Sequence, residues 1–309
     1  MSLETVTAPA KINIHLQIMR ARSDNHHEVW TLFQSIDLAD EVVVGDAPDG
    51  SVALVVEPAG AAPGGDDNLV LKALSAIRER TGVRRGAVIR LRKKIPAGAG
   101  LGGGSADAAA ALVAVDRLWD LQLSAADLVD LAGGIGSDVP FFLHGGFALG
   151  RGRGDDIDPL LDLPPLAVVI VVPAIEVSTA VAFAEAGRRL TSRGPDATVE
   201  AFVEGHREGA VGEPPWSALF NDFEEVVTER WPEIGRVART LRATGTLHAA
   251  VTGSGSAVFG MYADLSAARR AATEIGNKWP VYVGSTIGRQ QAGLMGDRSE
   301  HRLEERTWK

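Results

Sequence analysis

Pro96-Ala97-Gly98-Ala99-Gly100-Leu101-Gly102-Gly103-Gly104-Ser105-Ala106 is the stretch from which the rest of this chain is read. Five glycines fall within the seven residues from Gly98 to Gly104. A strand pattern, Val88 to Arg92, precedes them, and an alanine-rich helical run, Ser105 to Trp119, follows. A phosphate site needs backbone N–H groups turned inward with no side chains in the way, and glycine permits both. A helix that starts where the loop ends adds its partial positive charge. The small side chains of Ala106, Ala108, Ala109 and Ala110 let a ligand come close.

Other glycine loops fit less well. Gly98-x-Gly100-x-x-Gly103 satisfies the dinucleotide pattern. However, Lys93, Lys94 and Pro96 part the strand from the loop, and no strand ending in an acid follows the helix. An NAD-linked oxidoreductase therefore rests on the nominal pattern alone. A Walker A loop requires Gly-Lys-Ser/Thr, and no lysine follows these glycines. A loop without function rarely runs straight into so strong a helix.

Outward from the loop, the chain reads as soluble and two-domained. Its 309 residues suffice for one large or two ordinary domains. No apolar run approaches the ~20 residues of a membrane span, and Met1 to Pro9 lacks the pattern of a signal peptide. The absence of cysteine excludes disulfides and cysteine–zinc sites and is compatible with a cytoplasmic location. The net charge of −9 argues against nucleic acid as a partner, because phosphate backbones are held by Lys and Arg. No membrane partner is expected, and the chain is expected to be a monomer or weak homodimer.

Ile12, Ile14, Leu16 and Ile18 alternate with polar residues, a period-two strand with one buried face. Glu41 to Val44 and Val52 to Val56 read as strands, Asn68 to Arg80 as a helix stopped by Gly82, and Ser124 to Asp127 as a capping box. Beyond Leu161, strands are expected at 166–172, 248–252, 257–262 and 281–285, with helices at 178–190 and 265–278. Ser192 to Pro215 is polar and gives no clear element. Helices and strands mix without regular alternation, which indicates an α+β fold. The expected division is residues 1–160, carrying the loop, residues 161–289, and a charged, disordered tail, 290–309.

The loop resembles the phosphate loop of the galactokinase, homoserine kinase, mevalonate kinase and phosphomevalonate kinase superfamily. Pro9-Ala10-Lys11-Ile12-Asn13 resembles its N-terminal motif, and Thr252-Gly253-Ser254-Gly255-Ser256-Ala257-Val258-Phe259 its C-terminal glycine motif. Together they span most of the chain in the expected order. The resemblance implies a small-molecule kinase with a ribosomal-S5-like N-terminal domain and a ferredoxin-like C-terminal domain. Thr31 to Leu38, the triple glycine before Ser105, and Gly136-Ser137-Asp138-Val139-Pro140-Phe141-Phe142 are similar to the branch of isoprenoid precursor synthesis. Its acceptor is a cytidine-diphosphate-linked polyol, phosphorylated by ATP on the 2-hydroxyl of a methylerythritol unit. Another alcohol acceptor, or an idle ATP-binding protein on the same scaffold, remains open.

The resemblance also assigns roles. Asp138, a carboxylate beside an apolar run, is either a helix cap or the base that takes the acceptor proton. Lys11 is its partner, there to keep it ionised and to stabilise the attacking oxygen. ATP is expected on Pro96, Gly98, Gly100, Leu101, Gly102, Gly103, Gly104 and Ser105, with Asn68 and Lys93 on the adenine side. Mg²⁺ is expected to be carried by nucleotide and water, near Ser105, without a protein metal site. The acceptor falls to Asn13, His26, His27, Thr179, Phe183, Gly253 and Ser254. The family's Asp-Gly-Tyr-His, whose tyrosine stacks on cytosine, is here Asp24-Asn25-His26-His27. His26 thus stands for the stacking ring, His27 for the hydrogen-bonding one, and Phe183 for the second ring or a core residue.

Overall fold

A computed structural model describes residues 2–23, 26–47, 50–187, 194–210 and 212–295. Asp24, Asn25, the end of the expected 178–190 helix and residues 296–309 lie outside the described residues. In chain order the elements are β1 (Leu3–Ala21), β2 (His27–Ala47), β3 (Val52–Glu57), α1 (Leu69–Thr81), β4 (Gly86–Arg92), α2 (Gly103–Trp119), α3 (Ala125–Ile135), α4 (Val139–His144), β5 (Phe147–Arg151) and β6 (Asp156–Pro159). There follow β7 (Ala167–Val171), α5 (Thr179–Gly187), α6 (Ala197–Arg207), α7 (Phe223–Arg230), α8 (Pro232–Arg242), β8 (His248–Val251), β9 (Val258–Tyr262), α9 (Leu265–Ile275), β10 (Val281–Ser285) and α10 (Arg289–Ala292).

The first half forms a six-stranded mixed sheet in the order β3-β4-β2-β5-β6, with β1 also paired to β2. Among the described residues of this sheet β3 and β4 run parallel and the other strand pairs antiparallel. The second half forms an antiparallel sheet, β10-β7-β9-β8. The architecture is α+β. Helices α1 to α4 cover the first sheet around α2, whose apolar residues are buried on all sides, as expected of a helix through a core.

Three expectations change. The period-two strand at 12–18 is the middle of β1, and both of its faces are buried. Lys11, Asn13, His15 and Gln17 are as enclosed as Ile12 and Ile14, because the second half of the chain covers the polar face. The expected strand at 41–44 is the end of the 21-residue β2, which continues through Gln34, Ser35 and Asp37. Residues 290–295 belong to the packed structure. Leu294 and Met295 donate backbone N–H groups to the Leu143 carbonyl at 3.1 and 3.3 Å, and Ala292 and Leu294 are buried. The polar 192–215 stretch holds α6, opened by Asp196, whose side chain accepts from the N–H groups of Thr198 and Val199.

Candidate active site

The phosphate loop gets its shape from its glycines. Gly98, Gly100 and Gly102 all have positive φ, at 67°, 81° and 72°, a left-handed region that side chains rarely adopt. At Gly100 there is also no room. A Cβ there would lie 2.1 Å from the Thr252 carbonyl oxygen, because the second glycine loop, 252–256, packs directly on the first. Thr252 also reaches the Gly100 carbonyl with its hydroxyl at 3.2 Å, and Ala257 N–H donates to the Ala99 carbonyl at 3.1 Å.

Helix α2 begins at Gly103, with Gly102 as its N-cap. Ser105 therefore sits inside the first turn and is not the cap. No side chain caps this terminus and no acid lies in its first turn. Its leading N–H groups and partial positive charge face the cavity, as anion binding requires.

That cavity, of about 790 Å³, lies between the two halves of the chain. It is of the size that takes a drug-sized ligand. Its walls include Pro96, Gly98 and Gly100 to Ser105 on one side, Lys11, Asn13 and Asp138 at its floor, and His26, His27, Thr179, Phe183, Gly253 and Ser254 opposite.

Lys11 and Asp138 meet there. Lys11 Nζ lies 3.4 Å from Asp138 Oδ2; the lysine side chain is 3% exposed and the aspartate 35%. Asp138 occupies the N-cap position of α4, yet its side chain makes no capping hydrogen bond. The carboxylate points to Lys11 and the cavity instead. Lys11 is fixed on every side: Nζ donates to Asn13 Oδ1 at 2.5 Å, its backbone N–H donates to the Leu101 carbonyl at 3.1 Å, and the ring of Phe33 lies 5.5 Å from Nζ.

Asn13 lines the cavity, but its amide is committed to positioning. Oδ1 accepts from Lys11 and from Gly253 N–H at 3.0 Å, and Nδ2 donates to Thr31 Oγ1 at 2.8 Å. Its backbone N–H donates to Thr252 Oγ1 at 3.0 Å. One side chain thus joins the lysine to the second glycine loop. Asn221 braces that loop from behind, donating to the carbonyls of Val251 and Gly253 at 2.7 and 2.8 Å.

Two expected nucleotide contacts are elsewhere. Asn68 is the N-cap of α1: Oδ1 accepts from Val70 N–H at 2.9 Å and Nδ2 donates to the Pro63 carbonyl at 2.6 Å. Lys93 turns away from the cavity into a buried ion cluster with Asp40 and Asp107. Neither lines the cavity.

On the opposite wall, successive turns of α5 present Thr179 and Phe183. Thr179 Oγ1 and Ser254 Oγ are hydrogen-bonded at 2.9 Å. Phe183 is both wall and core, packing edge-on against Phe223 at 4.7 Å. The ring stacked on Phe183 is His27, at 5.2 Å and 15°. The reason is position. His27 opens β2 and abuts Gly187 at the end of α5, so tightly that a Cβ on Gly187 would come within 2.6 Å of His27 Nε2. His26 is exposed at the cavity's mouth.

Sequence reasoning missed Arg153, which with Lys11 supplies the lysine and arginine cations among the described residues of the wall. Asp155 holds it, accepting from Nε at 2.9 Å and from Nη2. The Gly152-Arg153-Gly154 spacing was the available signal.

A glycine loop opening a bare helix end, facing a lysine–aspartate pair across a cavity between two α+β halves, defines a small-molecule kinase. Comparison agrees: residues 68–146 match the GHMP kinases N terminal domain and 213–281 the GHMP kinases C terminal model. The chain belongs to the GHMP kinases and, within them, to the family of 4-diphosphocytidyl-2-C-methyl-D-erythritol kinases. It is 43% identical to that kinase of Pelotomaculum thermopropionicum over 268 residues, 87% of this chain and 92% of the relative. It is 38% identical to that of Kineococcus radiotolerans, covering 88% and 85%. A solved 4-(cytidine 5'-diphospho)-2C-methyl-D-erythritol kinase superposes with a TM-score of 0.75 at 37% identity, over 92% of this chain and 99% of that one. The mevalonate kinase of Methanococcus jannaschii, 12% identical with a TM-score of 0.68 over 93% and 99%, shares the fold. Among the described residues no helix is long and apolar enough to cross a membrane.

Proposed function

We propose that this chain transfers the γ-phosphate of ATP to the 2-hydroxyl of 4-diphosphocytidyl-2-C-methyl-D-erythritol, in isoprenoid precursor synthesis. The observation that carries the chemistry is the Lys11–Asp138 pair. A carboxylate that leaves its helix uncapped to face a buried ammonium 3.4 Å away is placed for proton transfer, not for folding.

The triphosphate lies along the loop from Gly98 to Gly104 with its charge against the start of α2. Asp138 accepts the proton of the acceptor hydroxyl as that oxygen bonds to the γ-phosphorus and the bond to ADP breaks. Lys11 faces the attacking oxygen and neutralises charge that grows there. Oxygen donors suit Mg²⁺, and the Ser105 hydroxyl stands on the cavity wall. The serine would hold it together with the nucleotide and water, which leaves Asp138 free to take the proton. Bound there, Mg²⁺ supplies neutralisation of the β- and γ-phosphates.

The cytidine belongs on the flat surface made by His27 and Phe183, with Thr179 and Ser254 beside it. The pyrophosphate of the acceptor needs a cation, and Arg153 is the one at hand.

Turnover of the diphosphocytidyl substrate beside mevalonate and homoserine tests the acceptor; preference for either of the latter would overturn the assignment. Asp138→Asn tests the chemistry. We expect kcat to fall by ~10²–10⁴ with ATP affinity retained, and near-normal turnover would refute the role.

A further inference from the structure

The helix that carries Asp138 is held at its two ends in different ways. α4 is six residues long, Asp138 stands at its start without a capping hydrogen bond, and Pro140 follows in its first turn. The far end is tied by backbone bonds, since the Leu143 carbonyl accepts from the N–H groups of Leu294 and Met295. The near end rests on a side chain. Phe142 is four residues beyond Asp138 and therefore on the same face of the helix. It is 2% exposed and lies beneath the cavity wall, not in it.

The ring of Phe142 is seated on the phosphate loop. A Cβ on Gly102 would lie 2.6 Å from Phe142 Cζ, 3.0 Å from its Cε2 and 3.1 Å from Lys11 Cγ. The ring can reach the backbone there because residue 102 has no side chain. Gly102 is also the N-cap of α2, whose leading N–H groups receive the phosphates in the proposed reaction. Base, lysine and loop thus meet at one glycine. Asp138 meets it through Phe142, and Lys11 through its Cγ and through its N–H on the Leu101 carbonyl. Phe141 packs edge-on against Phe142 at 5.2 Å and lies 4.7 Å from Phe33, the ring beside Lys11 Nζ. In so close-packed a stack a change in one ring is passed to its neighbours.

We propose that Phe142 is a positioning residue, a spacer whose ring sets the height of Asp138 over the start of α2. It touches neither substrate and moves no proton. Phosphoryl transfer is mostly positioning, and the spacer fixes the distance between the carboxylate that holds the acceptor hydroxyl and the phosphate that the hydroxyl attacks. The grip on the nucleotide does not depend on it, because the loop is held from its other side: Thr252 donates to the Gly100 carbonyl and Ala257 to the Ala99 carbonyl. A shorter side chain at 142 lets the first turn of α4 shift, and Asp138 with it, while the loop keeps its shape.

The inference rests on the reaction proposed above. Wild-type turnover of the diphosphocytidyl substrate is therefore measured first, and its absence refutes that reaction. The full chain carrying Phe142→Leu is then compared with wild type in kcat and in calorimetric affinity for Mg²⁺ with adenylyl imidodiphosphate. We expect kcat to fall by about ten- to a hundredfold, with nucleotide affinity unchanged. Leu74→Ala opens a hole in the same core, on α1 and away from the cavity, and should lower Tm with kcat kept. The decisive arm is a double-mutant cycle. On Asp138→Asn the leucine should cost almost nothing further in kcat, since a spacer acting through the carboxylate has no task once the carboxylate is gone. Phe142→Met, whose unbranched chain refills irregular space, takes the place of the leucine variant if that one does not fold. A wild-type kcat, a loss that multiplies in full with that of Asp138→Asn, or a loss confined to nucleotide affinity overturns the proposal. An equal loss of kcat in Leu74→Ala overturns it too, by showing a merely structural role.

Discussion

Gly100→Ala should disable the kinase while leaving it folded. At φ of 81° an alanine costs about 1–2 kcal/mol on conformation alone. Its methyl would also lie 2.1 Å from the Thr252 carbonyl oxygen, and the Gly255 carbonyl is only 3.1 Å away. Real Cβ atoms do not come within 3.0 Å of such a neighbour, so the two glycine loops must part by about 1 Å. Both are backbone, and neither can yield by a rotamer change. Thr252 is bonded to Asn13, and Asn13 to Lys11, so the displacement reaches the proposed catalytic pair as well as the phosphates. A misplacement of about 1 Å costs on the order of 10²-fold in rate, equivalent to about 2.7 kcal/mol. The assay is kcat/KM for ATP with thermal unfolding measured beside it. Gly82→Ala is the control. Gly82 has φ of 73° at the end of α1 with nothing within 4 Å of a Cβ, so it carries the conformational cost without the clash. We expect both variants to lose a few degrees in Tm and only Gly100→Ala to lose activity. Equal kinetics in the two would show that the contact between the loops is not what sets the phosphate site.

Two further outcomes follow from single side chains. Burial holds His248 down to about 4, so the folded chain keeps it neutral while the unfolded chain protonates it below about 6.5. That stability is present above pH 6.5 and is lost as pH falls toward 4, by up to about 3 kcal/mol. Denaturant titrations of His248→Gln at pH 7 and pH 4.5 should show a smaller loss than wild type, and an unchanged loss would exclude His248 as the source. Arg153→Ala should raise KM for the acceptor by roughly ten- to a hundredfold, as for a charged hydrogen bond worth ~1.5–3 kcal/mol, with KM for ATP unchanged. A shift confined to ATP would place the arginine on the wrong ligand.

What could be read from the sequence was local. The glycine loop, α2, the Ser124–Asp127 capping box and the Asn68 helix start are each coded within a few residues. Lys11 and Asp138 could be paired only through resemblance, since 127 positions separate them. Alternation at 12–18 gave the strand correctly but misled about its environment. A period of two says that the faces of a strand differ, not that one of them is wet. The pattern Ile234, Val237, Ala238, Leu241, opened by Pro232, is the buried stripe of α8 and was legible yet passed over. The Asp40–Lys93–Asp107 cluster was not legible. Lys93 looks like any solvated lysine until the fold brings β2 and α2 around it.

The polar face of β1 explains why this active site is built across two halves of the chain. Asn13 bonds to Thr252 and Gly253, Phe220 N–H reaches His15 Nδ1 at 3.3 Å, Gln17 exchanges hydrogen bonds with residues 194 and 196, and Ile18 N–H donates to Asp222 Oδ2 at 2.7 Å. Every second residue from Asn13 to Gln17 is thus a fastening to the second half, and Lys11, next in the same series, faces Asp138 instead. A polar face buried by a partner surface is worth little net stability per bond, but each unpaired group would be costly. The register between the halves is therefore strongly specified, because a slip of the strand would strand the whole row. The same register sets Gly100 against Thr252 and, through Asn13, steadies Lys11. Precision at the reacting centre is in this way secured by an interface that itself does no chemistry, and the glycine loop can stay free of side chains because the contacts that hold it come from elsewhere.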